Sequence, residues 1–177
     1  MAKTNKVRQN FHVESENALN EQINLELNAC YIYQSMSMYF DREDVSLPGF
    51  SKFFNEMSKQ QRDHSEKLMK YLNIRGGRIL LKEIKKPELD EWNNGLRALE
   101  IALDIEKTQN ASLLSMHKVP SERVDPQMTN FLEEEFLDEQ VKIIRNLAHM
   151  ITKLKRAGSE GLGEYLFDQE LVSLNSF

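Results

Sequence analysis

Eight polar side chains interrupt otherwise apolar repeats in this chain: Glu26, Gln61, His64, Glu106, Asn110, His117, Glu133 and Gln140. Carboxylates, imidazoles and amide oxygens are donors for divalent cations, and a mixed carboxylate and imidazole set suits iron, manganese or zinc better than softer metals. Each residue taken alone has a plainer role open to it, setting helix register or meeting water at a helix end. Their heights along the chain set several of them apart. Glu26 lies 19 residues before residue 45 and His64 lies 19 after it, while Glu106 lies 17 before residue 123 and Gln140 lies 17 after it. If residues 45 and 123 are the tips of hairpins, each pair is level. Gln61, 13 residues past Pro48, and Glu106, 11 past Gly95, are level too if their segments run parallel. Two carboxylates, an imidazole and two amides gathered in a core are costly without a partner for their charge, and a divalent cation is such a partner. Tyr33 follows Glu26 by about two turns on the same face, where it could hydrogen-bond a ligand or serve as an amphipathic core tyrosine.

The elements that must position these groups are marked out by helix breakers. Seven Gly and four Pro among 177 residues, near 6%, fall short of the roughly 12% of average proteins. This scarcity disfavours an all-β fold and excludes collagen-like and low-complexity chains. The breakers leave four uninterrupted stretches, 1–47, 50–75, 96–119 and 127–157, each long enough for about six helical turns or more. Three of them carry heptad seams: Phe50, Phe54, Met57, Gln61, His64, Leu68 and Tyr71; Leu96, Leu99, Leu103, Glu106, Asn110, Leu113 and His117; and Glu133, Leu137, Gln140, Ile144, Leu147, Ile151 and Leu154. In the first stretch Leu19, Ile23, Leu27 and Cys30 share a face beside Glu26 and Tyr33. Leu25, Ala29, Ile32, Met36 and Tyr39 form a second apolar face roughly opposite. A helix apolar on two sides has two burials to make, one of them against another subunit.

Segments 41–48 and 120–126 read as short hairpin loops, whereas 76–95 is a 20-residue link. Extended at about 3.3 Å per residue, it spans more than the length of a 26-residue helix, so it can return the chain to the other end. The expected fold is all-α: a four-helix bundle with one long crossover and a short C-terminal fifth helix. A single domain over 1–177 is expected, with the bundle over about 9–158 and the last helix over about 161–171.

A net charge of -5 disfavours nonspecific nucleic-acid binding, and the lone Cys30 allows no internal disulfide. The start, MAKTNKVRQNFHVES, has no apolar run and no small-residue cleavage site, and no later stretch approaches the ~20 apolar residues of a membrane span. The expectation is a cytoplasmic protein with no nucleic-acid or membrane partner.

Ordered segments along the chain resemble the ferritin family: VRQNFH (7–12), INLELNACYIY (23–33), FDREDVSL (40–47), RDHSEKLMK (62–70), RGGRILLKEIKKP (75–87), LDEQVK (137–142) and GLGEYLFD (161–168). The resemblance implies the crossover bundle with a fifth helix, assembled as a hollow shell of 24 subunits that stores ferric mineral. It also implies that the second apolar face of the first helix is the subunit dimer interface. Heavy-type subunits of that family oxidise Fe(II) with dioxygen at a di-iron site. Glu26 and His64 match ligands of its first iron position, Glu106 and Gln140 match those of the second, and Tyr33 matches the neighbouring tyrosine. Gln61 stands where catalytic subunits carry a metal-bridging glutamate, and Gln60 where another glutamate is usual. An amide binds one metal without charge and bridges two poorly, so a weakened ferroxidase is expected.

By the same resemblance Glu133 matches the glutamate of an iron-entry channel on the three-fold axes, with Asn130 where an aspartate is usual and His117 nearby. Asp63 and Glu66, with Glu56 one or two turns earlier on a nearby face, match inner-surface acids that nucleate mineral. Leu162, Leu166 and Leu171 match the helix lining the four-fold axis. Other readings stay open: a non-catalytic, mineral-nucleating shell subunit of light type; a di-iron oxidoreductase that stores nothing; and a helical interaction module. The oxidoreductases repeat Glu-x-x-His on two helices, a pattern that neither Gln61 to His64 nor Glu106 to Gln109 completes.

Overall fold

Every regular element among the described residues, 5–173 of this computed structural model, is helical. The ends of the expected 1–177 domain, residues 1–4 and 174–177, lie outside the described residues. Four long rods pack side by side: α1 (Val13–Phe40), α2 (Pro48–Ile74), α3 (Gly95–Glu122), and a fourth made of α4 (Pro126–Leu132), a π turn (Glu133–Leu137) and α5 (Asp138–Ala157). A short α6 (Leu162–Ser173) closes one end. This is the expected crossover bundle with a fifth helix. The first helix starts at Val13, where His12 Nδ1 accepts the Glu14 N–H.

The link between α2 and α3 is laid along α1 by three asparagines at four-residue spacing. Asn20 Nδ2 donates to Arg78 O and its Oδ1 accepts the Leu80 N–H; Asn24 Nδ2 donates to Glu83 O; Asn28 Oδ1 accepts the Lys85 N–H. Higher up, Trp92 Nε1 donates to Ser35 Oγ and Tyr39 OH to Asn93 O. The link therefore rises parallel to α1, so α3 starts at the same end as α2 and runs parallel to it.

Three seam assignments shift. On α1 the buried row is Leu19, Ile23, Glu26, Ala29, Tyr33, Met36 and Phe40, so Ala29 and Met36 face the bundle while Leu27 and Cys30 are only half-buried. The seam had hidden because a polar residue, Glu26, occupies it. On α3 the buried positions are Leu99, Ala102, Glu106, Gln109, Leu113 and Met116; Leu103, Asn110 and His117 are half-buried. In the fourth rod Leu132 and Phe136 are buried, whereas Glu133 is exposed and Leu137 half-buried. The π turn is the reason: the Asp138 N–H reaches Glu133 O, five residues back, and each widened turn takes more residues. Burial steps by four through Met128, Leu132, Phe136 and Gln140, and the heptad spacing resumes only after it.

Pro120 does not start the second hairpin loop. It lies buried inside α3, which continues to Glu122; at the last turn its missing N–H spares most of the ladder. The turn is left to residues 123–125, with Val124 in the left-handed region and Asp125 Oδ1 accepting the Met128 N–H to cap α4. Arg75, at the end of α2, donates to both Asp125 carboxylate oxygens and to Asn10 O, tying that end together.

The core has two apolar clusters. One gathers Tyr33, Phe40, Phe50, Phe54, Trp92, Leu99, Leu147 and Phe167; the other gathers Phe11, Leu19, Ile23, Leu68, Tyr71, Leu113, Leu132 and Phe136. A layer of polar side chains lies between them.

Candidate metal centre

Four rods supply that layer. α1 carries Gln22, Glu26 and Tyr33; α2 carries Gln61 and His64; α3 carries Glu106 and Gln109; α5 carries Gln140. Spacings of three, four and seven residues put the members from each helix on one face. All eight are 3% exposed or less.

Two amides hold each carboxylate. Gln22 Nε2 donates to Glu26 Oε1 at 2.7 Å and Gln109 Nε2 to Glu26 Oε2 at 3.3 Å. Gln61 Nε2 donates to Glu106 Oε1 at 3.1 Å and Gln140 Nε2 to Glu106 Oε2 at 2.6 Å. The Tyr33 hydroxyl also donates to Glu106 Oε1, at 2.7 Å. Gln109 Nε2 reaches Gln61 Oε1 at 2.6 Å, so a chain of amides joins Glu26 to Glu106.

His64 stands at the edge of the layer, its ring edge-on to Phe136. Nδ1 is 3.6 Å from Glu26 Oε2, and Nε2 is 3.2 Å from Glu139 Oε2, which lies on the side of a cavity of about 480 Å³ between α2 and α5. Burial opposes the imidazolium, but Glu139 and Glu26 outweigh it and raise the His64 pKa to about 9. The hydrogen bond to His64 lowers Glu139 to about 2, against the effect of burial. Burial raises Glu106 although Tyr33 and Gln140 donate to it, and burial beside Glu106 carries Tyr33 well above its ordinary range. A cation that takes the imidazole must therefore displace its proton.

Of the residues singled out in the sequence, Glu26, Tyr33, Gln61, His64, Glu106 and Gln140 come together. Glu133 does not; it is exposed and pairs with His117 Nε2 at 2.8 Å. Glu56, Asp63 and Glu66 lie outside the layer, Glu56 paired with Lys59 at 2.8 Å and Glu66 facing Arg62 and Lys70. Three residues of the neighbourhood escape the sequence reading. Gln22 lies one turn from Glu26 and Gln109 one turn from Glu106, although Asn110 fits the second spacing as well. Glu139, which also accepts from Gln60 Nε2 at 2.6 Å, carries no such signal, because it approaches His64 from outside the bundle seam.

Among the described residues no three His, Cys, Asp or Glu side chains group as a metal-holding cluster. The inward groups are two carboxylates, one imidazole and four amides, so a divalent ion here would rely on amide oxygens for part of its shell. Such a set fits a ferrous ion by donor type, with less negative charge than two ions bring. No helix among the described residues is long and apolar enough to cross a membrane.

Residues 16–157 match the ferritin-like domain family. The chain is 59% identical to soma ferritin of Lymnaea stagnalis over 169 residues, 96% of this chain and 97% of that protein. It is 52% identical to the ferritin middle subunit of Aquarana catesbeiana over 172 residues, 96% of this chain and 98% of that one. Against the oocyte isoform of the Xenopus laevis ferritin light chain it is 50% identical over 171 residues, with 96% and 97% covered. Paired with a crossover bundle whose polar layer draws on all four rods, this similarity over nearly the whole length places the chain in the ferritin family.

Proposed function

We propose that this chain is a cytoplasmic iron-storage subunit that self-associates into a 24-subunit shell, oxidises Fe(II) with dioxygen at a di-iron site, and holds the product as ferric mineral. The observation that carries this reading is the convergence of Glu26, His64, Glu106 and Gln140 from four rods on one buried level. Fe(II) is the substrate. Each ion gives one electron to dioxygen, and the protein's share is to hold the ions and manage protons. Glu26 and His64 bind on one side, Glu106 and Gln140 on the other, and Tyr33 orients Glu106 through its hydroxyl. Proton release from His64 accompanies entry of the ion; Glu139, its pKa held to about 2, accepts a hydrogen bond from the ring but does not keep the proton, which leaves to solvent.

Iron reaches the shell interior past Glu133, with His117 beside it, and mineral starts on Glu56, Asp63 and Glu66. Gln61 slows the chemistry, because its neutral amide stands where a third carboxylate would offset the charge of two ferrous ions. That same residue favours a second reading, a non-catalytic shell subunit that nucleates mineral on iron oxidised elsewhere. Its Nε2 already donates to Glu106, using a carboxylate oxygen that an ion would need.

Aerobic addition of Fe(II) to the purified protein, following ferric absorbance and particle size together, separates the readings. A large particle with colour forming faster than in buffer supports the first. A large particle with colour no faster than buffer supports the second, and a small oligomer removes both.

A further inference from the structure

Gln109 belongs to the polar layer, yet the apolar spacing of α3 passes over it. Its side chain is buried, its Nε2 is shared between Gln61 Oε1 and Glu26 Oε2, and its Oε1 has no hydrogen-bond partner. Gln22 repeats the pattern on the other oxygen of Glu26: Nε2 donates and Oε1 is left unpaired. Buried polar atoms without partners are rare and ask for a cause. Here the cause is the Glu26 carboxylate, which attracts N–H and repels an amide oxygen. An amide's oxygen and nitrogen sit about 2.2 Å apart by covalent geometry, so both unpaired oxygens lie within about 6 Å of Glu26.

A cation at Glu26 reverses that preference. The terminal amide torsion of Gln is broad and roughly two-fold, so a half-turn exchanges nitrogen for oxygen with no backbone movement. The same half-turn at Gln109 withdraws the N–H that occupies Gln61 Oε1, and so frees a second oxygen. We propose that Gln109 is a further iron ligand, presenting Oε1 to the ferrous ion bound by Glu26 and His64 and unmasking Gln61 Oε1 as it turns. In the empty site its N–H groups hold the layer together; with iron bound its oxygen replaces part of what the missing third carboxylate would give. The proposal rests on the iron-oxidising reading above.

Co(II) serves as the probe, since its visible absorption reports ligand number and it can be titrated without oxidation under argon. Full-length metal-free protein, Gln109→Leu and Gln109→Glu are titrated side by side, with Glu26→Gln as the marker for the layer. Expected is a loss of tenfold or more in affinity for Gln109→Leu with an altered absorption spectrum, and a gain of similar size for Gln109→Glu. Wild-type affinity and spectrum in Gln109→Leu would make Gln109 a strut of the empty site only and overturn the proposal. If Gln109→Leu does not fold, Gln109→Glu decides alone: binding no tighter than wild type overturns it. Should wild type and Glu26→Gln give the same Co(II) spectrum, the layer binds no ion, and the iron-oxidising reading falls with it.

Discussion

The amide at position 61 offers a donor atom without the charge that a carboxylate would bring, and the two effects can be separated. Gln61→Glu should speed aerobic Fe(II) oxidation on the order of tenfold, within the range by which ligand surroundings tune metal sites; an unchanged initial rate would mean that the charge of the site does not limit the reaction. The His64 and Glu139 pair makes a second prediction. His64 is raised from 6.5 to about 9, so the stability it lends the metal-free fold is complete below about pH 6.5 and is lost as pH climbs toward 9. Glu139 is lowered from 4.5 to about 2, so its contribution holds above about pH 4.5 and is lost on acidification toward 2. Melting temperatures of the metal-free protein should therefore fall between pH 6.5 and 9, and Glu139→Gln should flatten that fall; an equal slope in the variant would show that another group is responsible. Glu26, His64, Glu106 and Gln140 were legible because their heights follow from loop positions. Gln109 was not, since a half-exposed Asn110 beside it fits the heptad count equally well and only the packed helix distinguishes them.

Turns of unusual width decide which residues a helix buries. Without the π turn, the chain from Pro126 to Leu132 would be rotated by about 100° relative to α5, carrying Met128 and Leu132 away from the cluster that contains Leu68 and Leu113. Deleting Glu134, an exposed member of the turn, removes the extra residue and should convert the turn to regular helix with Met128 and Leu132 still facing the core, leaving stability within about 1 kcal/mol of wild type. Chemical denaturation would measure it, and a loss of about 3–6 kcal/mol, the burial of two large apolar side chains, would mean that the deletion had turned the segment out of register instead. Nothing in the local sequence announces a π turn: Glu133, Leu137 and Gln140 satisfy an ordinary heptad, and the extra residue shows only where the rod meets its neighbours. The link between α2 and α3 had a similar fate. Its length gave the crossover direction, but the Asn20, Asn24 and Asn28 ladder that fastens it was unread, because asparagines on a half-exposed helix face ordinarily signal only solvation.

At the scale of the whole molecule, the four-rod plan was readable from where glycine and proline are absent, and the closing helix from where glycine clusters. What the pattern did not convey is how α6 is attached. α2 begins without a capping side chain of its own; buried Asp168 on α6 supplies it, accepting the Phe50 N–H at 2.9 Å. Gly49 allows this approach, since a Cβ there would lie 2.0 Å from Asp168 O. Glu164, also on α6, accepts the Gly95 N–H at 2.7 Å at the start of α3. Asp168→Ala should cost about 2 kcal/mol, the upper range for a helix cap, read as a lower denaturation midpoint of the purified protein. A midpoint equal to wild type would show that apolar contacts of Phe167 and Leu171 alone dock the helix.

The Asp168 cap also imposes an order on the life of the chain. α6 is synthesised after the rods it meets, so the first turn of α2 lacks its side-chain cap until translation has passed residue 168, whereas α3 already has Asn94, whose Oδ1 accepts the Arg97 N–H. A polypeptide cut short before that point would hold every residue of the polar layer, yet leave the start of α2 uncapped. The last helix thus completes the start of a rod laid down 118 residues earlier, and the two ends of the sequence's order are joined at one turn.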